Sequence, residues 1–242
     1  MVALKGKDIG GFLKKRPAAC FLVLIYGGDG GMVRERSDIV ARQIVDDLHD
    51  PFNTVELTNA DLKEHPGRLA DEAAALSFMG GQRLIRYRGS DDAISKAVKA
   101  LLAIVDAGSF EPNALIIIEA GSLRKTAGLR KTIEAHKRTA ALPCYEQSAA
   151  ENGSYIQETL ATEGLTIQPE ALSLWMDALP PDRGILQSEL EKLCLYMGPQ
   201  ENRSADDQTA IGLADVKACL ADRANDDSFA IGDLIFSGQT KN

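Results

Sequence analysis

The feature that most constrains the fold of this chain is the alternation, between residues 18 and 147, of short apolar runs with amphipathic segments. The apolar runs are dominated by Val, Ile, Leu or Tyr, which is typical of buried strands. They lie at residues 20–26, 54–57, 83–87, 114–119 and 141–145. This alternation of strands and helices predicts an α/β fold, in which helices cover both faces of a five-stranded parallel sheet.

Helical patterns separate the predicted strands. Residues 33–48 and 93–105 each repeat apolar residues at the spacing of one helix face. After Ser148 no β-rich run recurs, and the remaining pattern is helical. The predicted helices of this second part lie at residues 152–163, 170–179, 182–196 and 213–224, with a polar surface loop at 199–209. The sequence therefore predicts a three-layer α/β domain followed by a small all-α domain.

The last residues, 227–242, begin another apolar pattern with Phe229, Ile231 and Leu234 and then stop. A helix this short cannot bury its apolar face by itself. We therefore expect the chain to be a fragment whose natural continuation is missing.

Composition narrows the classes of function. The formal charge of -8 argues against a dedicated duplex-binding domain, which would concentrate Lys and Arg. The cysteines are far apart and include no C-x-x-C pair, so they predict buried or half-buried thiols in a reducing cytosol rather than a metal site or disulfides. They are Cys20, Cys144, Cys194 and Cys219. No apolar stretch is long enough to span a membrane, and the three histidines, in separate polar segments, are expected at the surface.

The first strand is followed by a glycine-rich loop, Gly27-Gly28-Asp29-Gly30-Gly31, in the place of a nucleotide-binding P-loop. It contains no Gly-Lys-Ser/Thr, and Asp29 would repel a phosphate. The fourth strand ends in a lone carboxylate, Glu119, where a motor protein uses an Asp-Glu pair. We interpret Glu119 as a cap or a solvent contact rather than a metal ligand. No cofactor, no bound metal and no catalytic residue are expected.

Three stretches carry a resemblance to a known family. Residues 76–85 place two adjacent bulky apolar residues before a turn, an Arg and an apolar strand. Residues 184–196 contain the helix core Glu189-Leu190-Glu191-Lys192-Leu193, and residues 211–216 precede a further apolar segment at 227–234. In order and spacing they resemble the delta subunit of the bacterial DNA polymerase III clamp loader.

The resemblance implies an AAA+-like α/β domain at residues 1–148, a helical lid at 149–226 and the start of a truncated collar domain at 227–242. It implies a subunit that opens the β sliding clamp for loading onto primed DNA and does not hydrolyse ATP. Its partners would be the clamp, the delta prime and gamma/tau subunits, and primed DNA indirectly. It would be a cytoplasmic, non-catalytic subunit of a DNA-directed DNA polymerase, a nucleotidyltransferase holoenzyme.

The family docks on the clamp through an exposed hydrophobic pair at the end of the helix before the third strand. By position this pair falls on Phe78 and Met79, with Leu76 as a supporting contact. The family more often has Leu then Phe, so the identities differ while both side chains remain large and apolar. From periodicity alone, Phe78 and Met79 could equally be core residues that close the helix.

The most basic stretch of this acidic chain begins at Arg124 and Lys125 and continues through Arg130 and Lys131. It follows the fourth strand, where the family faces its central chamber or a neighbouring subunit. DNA or subunit contact is one hypothesis, and a solvated helix face is the other.

Three other functions compete with the delta assignment. A related clamp-loader subunit would carry a zinc-binding cysteine cluster and a Ser-Arg-Cys motif, neither of which this sequence contains. An active P-loop ATPase or small-molecule kinase would bind ATP. An unrelated α/β adaptor would have no interaction with a sliding clamp.

Overall fold

The computed structural model describes residues 4, 6–77, 80–108, 110–145, 147–179, 182–203 and 209–224. The chain divides into two compact units, Met1–Glu146 and Gln147–Asn242. The first unit contains a five-stranded sheet with helices on both faces, and the described part of the second is mainly helical.

The sheet of the first unit is entirely parallel, with strand order β2-β3-β4-β1-β5. Its strands are β1 (Leu22–Gly27), β2 (Thr54–Leu57), β3 (Arg83–Arg88), β4 (Ala114–Ala120) and β5 (Thr139–Cys144). The predicted three-layer α/β fold with five parallel strands is therefore confirmed. Because parallel strands run in one direction, their carboxyl ends share one edge, where ligand sites of such sheets usually lie.

Six helices accompany this sheet in the described residues. They are α1 (Gly6–Lys14), α2 (Gly30–Ala41), α3 (Asn59–Glu64), α4 (Arg68–Ala74), α5 (Asp92–Asp106) and α6 (Gly128–Ala135). Strand β1 illustrates why both sheet faces are apolar. Leu22 and Leu24 pack with residues of α4, α5 and α6, whereas Val23 and Ile25 point to the opposite face and pack with α1 and α2. A strand covered on both faces must be apolar at every position, as this one is.

Helix α2 is shorter than the prediction of 33–48, because it ends at Ala41. The chain then continues in turns, although its apolar residues keep the spacing of a helix. The side chain of Gln43 explains the change of direction. Its amide donates to the carbonyl oxygens of Phe12 and Leu13, and its Oε1 accepts from the amide of Arg16. Gln43 thereby satisfies backbone groups at the end of α1 that have no partner within that helix.

The last strand also differs, since it spans Thr139–Cys144 rather than 141–145. Thr139 is fully buried, and its hydroxyl donates to the carbonyl oxygens of Ile133 and His136. Tyr145, at the predicted end of the strand, is exposed. Thr139 pairs with Leu22 of β1, so the strand begins two residues earlier than predicted.

The second unit packs its helices around Trp175, which is 1% exposed. These helices are α7 (Ala149–Thr162), α8 (Pro169–Ala178), α9 (Arg183–Tyr196) and α10 (Leu213–Ala224). Two short parallel strands that the sequence did not predict, β6 (Thr166–Ile167) and β7 (Ala210–Ile211), pair with each other. A single 3₁₀ turn, Gln200–Asn202, lies within the predicted loop 199–209. The predicted collar start at 227–242 lies outside the described residues.

The described helices include none that combines the length and the apolar character needed to cross a membrane.

Candidate functional site

The loop between β1 and α2 is the position at which an AAA+-type ATPase would hold phosphates. Gly27 ends β1 beside β5, and a Cβ atom there would lie 1.6 Å from the carbonyl oxygen of Cys144. No side chain fits into that space. The positions of Gly28 and Gly30 have room for a side chain. A Cβ atom at Gly28 would meet only the hydroxyl of Ser122, at 3.5 Å, and a Cβ atom at Gly30 would meet nothing within 4 Å.

Asp29 caps the helix that follows this loop. Its carboxylate accepts a hydrogen bond of 2.8 Å from the amide of Met32, and the residue is 6% exposed. The amides of a helix N-terminus are the groups that bind phosphate in nucleotide-binding loops. In this chain the carboxylate of Asp29 already accepts from one of these amides, and its negative charge lies beside the other amides. The loop therefore supports the start of α2 and is ill suited to a nucleotide.

Glu119, near the end of β4, is buried at 8% exposure. Its interpretation as a cap or solvent contact is therefore wrong. Oε1 of Glu119 lies 2.6 Å from Nη2 of Arg86 and accepts a hydrogen bond of 2.7 Å from the hydroxyl of Ser37. Oε2 lies 3.3 Å from Nε of Arg88. Both carboxylate oxygens are thus held by groups of the protein itself.

Arg86 is the centre of this cluster. It projects from β3, is 4% exposed, and its Nη2 also lies 2.8 Å from Oδ1 of Asp38 on α2. Burial by itself would lower the pKa of Arg86, but hydrogen bonding to Glu119 and the negative charges of Glu119 and Asp38 raise it on balance. A permanent positive charge therefore lies against the carboxylate that would face Mg²⁺ in a motor protein.

Sequence reasoning overlooked the residues that surround Glu119. One signal was available, because the charged Arg86 lies between Ile85 and Tyr87 in a run that the sequence predicts as a buried strand. A charged side chain at such a position requires a partner of opposite charge. The partner Glu119 is on the neighbouring strand, and only the sheet order brings the two together.

A second candidate site follows α4, where the sequence predicts a docking turn. Leu76 is 81% exposed, the highest fraction among the large apolar residues that the structure describes. Phe78 and Met79 lie outside the described residues. Gly80 and Gly81 have φ values of 84° and 80°, a conformation that glycine adopts without steric strain.

Hydrogen bonds hold the chain on both sides of this turn. Ser77 donates its hydroxyl to Oδ1 of Asn53 at 2.7 Å. After the turn, Oε1 of Gln82 accepts from Nη2 of Arg16 at 3.3 Å, and Arg83 lies 2.9 Å from Glu72 in an ion pair. The exposure of Leu76 is therefore a property of an anchored segment.

The basic stretch divides into two groups. Arg124, Lys125 and Lys131 are exposed, whereas Arg130 is 7% exposed. The guanidinium of Arg130 lies 4.9 Å from the centre of the Tyr26 ring and 2.7 Å from Oε1 of Glu134. Arg130 therefore packs inside the first unit, and three of the four basic residues remain open to a partner.

We find no catalytic constellation among the described residues of these sites. No group of three or more His, Cys, Asp or Glu in the described segments could hold a metal ion. The four cysteines form no disulfide; Cys194 is half-buried and the others are buried. His49 and His65 are exposed, but His136 is half-buried: its Nε2 lies 3.1 Å from Asp106 and its ring meets Phe21 edge-on. The expectation of a surface position is thus wrong for His136.

Comparison with known proteins adds one finding about the fold. No family model and no curated protein matches this sequence. Among solved structures, the chain is similar to the DNA clamp loader delta protein YqeN of Bacillus subtilis, with 21% sequence identity and a TM-score of 0.58. The similarity covers 97% of this chain and 72% of that one. The chain therefore has a fold similar to that of this clamp loader delta protein.

Proposed function

We propose that this chain acts as a clamp-loader delta subunit, which binds the β sliding clamp and opens its ring for loading onto primed DNA without hydrolysing ATP. The fold is compatible with this role, and the exposure of Leu76 is the observation that carries it. Leu76 lies at the turn where the resemblance locates clamp docking, and a leucine that is 81% exposed on an anchored segment suits a partner better than a core.

In this proposal Leu76 acts together with Phe78 and Met79. Large apolar side chains on one turn can enter a preformed apolar pocket of the clamp and exclude water from it. Methionine adds a flexible side chain that adapts to the shape of such a pocket. The anchoring of Ser77 to Asn53 reduces the conformational entropy lost on binding, because the residue next to Leu76 is held in place beforehand.

The contacts of Asp29 and Glu119 support a role without ATP hydrolysis. Asp29 uses an amide at the start of α2, and Arg86 neutralises Glu119. A phosphate would meet the carboxylate of Asp29, and Mg²⁺ would compete with a buried guanidinium for Glu119. In this proposal ring opening draws on the binding energy of the clamp, while ATP is hydrolysed by other subunits.

The remaining partners follow from the same proposal. Arg124, Lys125 and Lys131 would contact DNA or a neighbouring subunit, and Arg130 would support them from within the fold. The neighbouring subunits would be delta prime and gamma/tau in a cytoplasmic polymerase III holoenzyme.

The proposal is tested by titrating the full chain against the cognate clamp. We expect micromolar binding or tighter, and an affinity at least tenfold lower for Leu76→Ala and for the double variant Phe78→Ala, Met79→Ala. Leu195→Ala is the matched control, because Leu195 is 73% exposed in the second unit. It should bind like the unmodified chain. Lack of binding by the unmodified chain would reject the proposal, and unfolding of the double variant would favour a core position for Phe78 and Met79.

The competing ATPase function is tested separately with Mg-ATP and the purified chain. We expect millimolar Mg-ATP to leave the unfolding temperature unchanged, since only a ligand that binds the folded state raises it. A rise that grows with ATP concentration would favour an active nucleotide site.

A further inference from the structure

Phe52 is an exposed aromatic residue that no motif in the sequence singles out. It lies just before β2 and is 69% exposed, the second highest fraction after Leu76 among the large apolar residues that the structure describes in the first unit. Isolated exposed apolar residues are common on protein surfaces. Phe52 differs because of the way its backbone is held and because of what its neighbour contacts.

Asp50 fixes the loop that carries Phe52. Its Oδ1 accepts from the amide of Phe52 at 2.9 Å, and its Oδ2 accepts from the side-chain amide of Asn53 at 2.7 Å. Its carbonyl oxygen accepts from the amide of Thr54 at 2.8 Å, where β2 begins. The phenyl ring is therefore presented to solvent from an ordered turn.

Asn53 connects this loop to the docking turn. Its Oδ1 accepts the 2.7 Å hydrogen bond from the hydroxyl of Ser77, and its carbonyl oxygen accepts from the amide of Leu84 at 2.7 Å. Asn53 follows Phe52 in the chain, and Ser77 follows Leu76. One side-chain hydrogen bond thus joins the neighbours of the two most exposed large apolar residues that the structure describes in the first unit.

We propose that Phe52 is a second contact with the sliding clamp, placed beside Leu76 by the hydrogen bond between Asn53 and Ser77. This inference rests on the proposed function and extends its docking surface onto a loop 24 residues earlier in the chain. Phe52 meets an apolar part of the clamp next to the one that receives Leu76. Aromatic residues are frequent energetic anchors of interfaces, because they bury a large area with few rotatable bonds.

The charges near Phe52 define the clamp surface further. Asp46 and Asp47 are exposed in the turns that lead to Phe52. The chain just before Phe52 therefore carries two exposed carboxylates. We expect the matching clamp surface to be apolar with a basic rim, since opposite charges at a rim accelerate association.

Substitution of Phe52 in the full chain tests this inference. We expect Phe52→Ala to weaken clamp binding about tenfold, which corresponds to about 1.4 kcal/mol. Its unfolding temperature should stay close to that of the unmodified chain, because an exposed ring contributes little to the core. Tyr196→Ala is the matched control, since Tyr196 is 55% exposed in the second unit, and its affinity should not change.

The outcomes separate the two proposals. Suppose that the clamp binds the unmodified chain and that Leu76→Ala weakens this binding. If Phe52→Ala then leaves the affinity unchanged, the contact through Phe52 is rejected while the proposed function stands. If the unmodified chain fails to bind the clamp, both are rejected. If Phe52→Ala abolishes self-association in sedimentation and leaves clamp affinity unchanged, Phe52 is a contact between copies of this chain and the inference is overturned.

A measurement without any substitution covers the case in which Phe52→Ala does not fold. Amide hydrogen exchange of the unmodified chain should slow for the Phe52 and Asn53 amides when the clamp is added. Unchanged exchange at these amides, with slower exchange at Ser77, would overturn the inference.

Discussion

Nη2 of Arg86 and Oε1 of Glu119 are 2.6 Å apart and buried on neighbouring strands of the sheet. The strand register places Arg88, rather than Arg86, beside Glu119, so the pair is diagonal across β3 and β4. In an AAA+ motor the carboxylates at this end of the fourth strand serve Mg²⁺ and water. Here the carboxylate of Glu119 holds the sheet to α2, through Ser37 directly and through Arg86, which is paired with Asp38.

Removal of Glu119 should destabilise the first unit strongly. We expect Glu119→Ala to lower the free energy of unfolding by about 3–5 kcal/mol, because it leaves Arg86 buried without its nearest counter-charge. Urea unfolding followed by circular dichroism measures this loss. Glu111→Ala serves as the control, because the ion pair of Glu111 with Arg138 is exposed to solvent and should contribute little to stability. Equal losses for the two variants would contradict a structural role for Glu119.

Asp91 should make stability depend on pH in the acidic range. Its carboxylate accepts from the amides of Ala93 and Ile94 at the start of α5, and from the buried Tyr87 hydroxyl at 2.5 Å. Burial by itself would raise the pKa of Asp91, but these hydrogen bonds lower it on balance. The stabilisation is therefore complete above the ordinary aspartate pKa of about 3.9, and it is lost as the pH falls through the lower folded-state value.

Two variants separate the charge of Asp91 from its hydrogen bonds. We expect Asp91→Ala to cost about 2 kcal/mol at pH 7, through the lost helix cap and the unpaired Tyr87 hydroxyl. Asp91→Asn retains an acceptor and should cost less. The difference in unfolding free energy between the unmodified chain and Asp91→Asn should be constant from about pH 5 to 7 and shrink below about pH 4. A difference that stays constant down to pH 2.5 would show that Asp91 titrates normally.

The four thiols should differ in reactivity. Burial raises the pKa of Cys20 and of Cys144 to about 11, so at pH 8 very little thiolate is present at either site. Cys194 is half-buried and should react first with a disulfide reagent. Mass spectrometry after brief labelling should find Cys194 modified and Cys20 and Cys144 protected, whereas urea should expose all four. Rapid native labelling of Cys144 would contradict the packing of β5 against β1.

Charge reversal should distinguish the exposed basic residues from ordinary solvated side chains. We expect the double variant Lys125→Glu, Lys131→Glu to weaken loader assembly or binding of primed DNA in the presence of the clamp. The loss should diminish as salt increases, because it is electrostatic. Lys217→Glu is the control, as an exposed lysine of α10 in the second unit. If the affinity and its salt dependence equal those of the control, the basic residues do not contact a partner and form an ordinary solvated surface.

Local sequence patterns were sufficient for most of the fold. Apolar runs located all five strands to within two residues, because a strand covered on both faces is apolar at nearly every position. Helix α2 was predicted too long, since the helical spacing of apolar residues persists beyond Ala41 while Gln43 bonds to the end of α1. The pairing of β6 with β7 was missed because two residues per strand leave no periodicity to detect.

The sites were less accessible to prediction, because they depend on contacts between distant parts of the chain. Leu76 could be proposed from its position in a motif. Phe52 could not, since its relation to Leu76 depends on the hydrogen bond from Ser77 to Asn53, across 24 residues. Arg130 resembled its basic neighbours in sequence, and only its packing against Tyr26 and Glu134 sets it apart.

The glycine-rich loop after β1 limits which of its residues can be substituted during evolution. Gly27 faces the carbonyl oxygen of Cys144 at a distance that excludes any side chain, whereas Gly28 and Gly30 have room for one. In a working phosphate loop several glycines would be held constant together by the nucleotide. Here selection should preserve Gly27 for the packing of the sheet, whereas Gly28 and Gly30 should vary more freely among relatives of this chain.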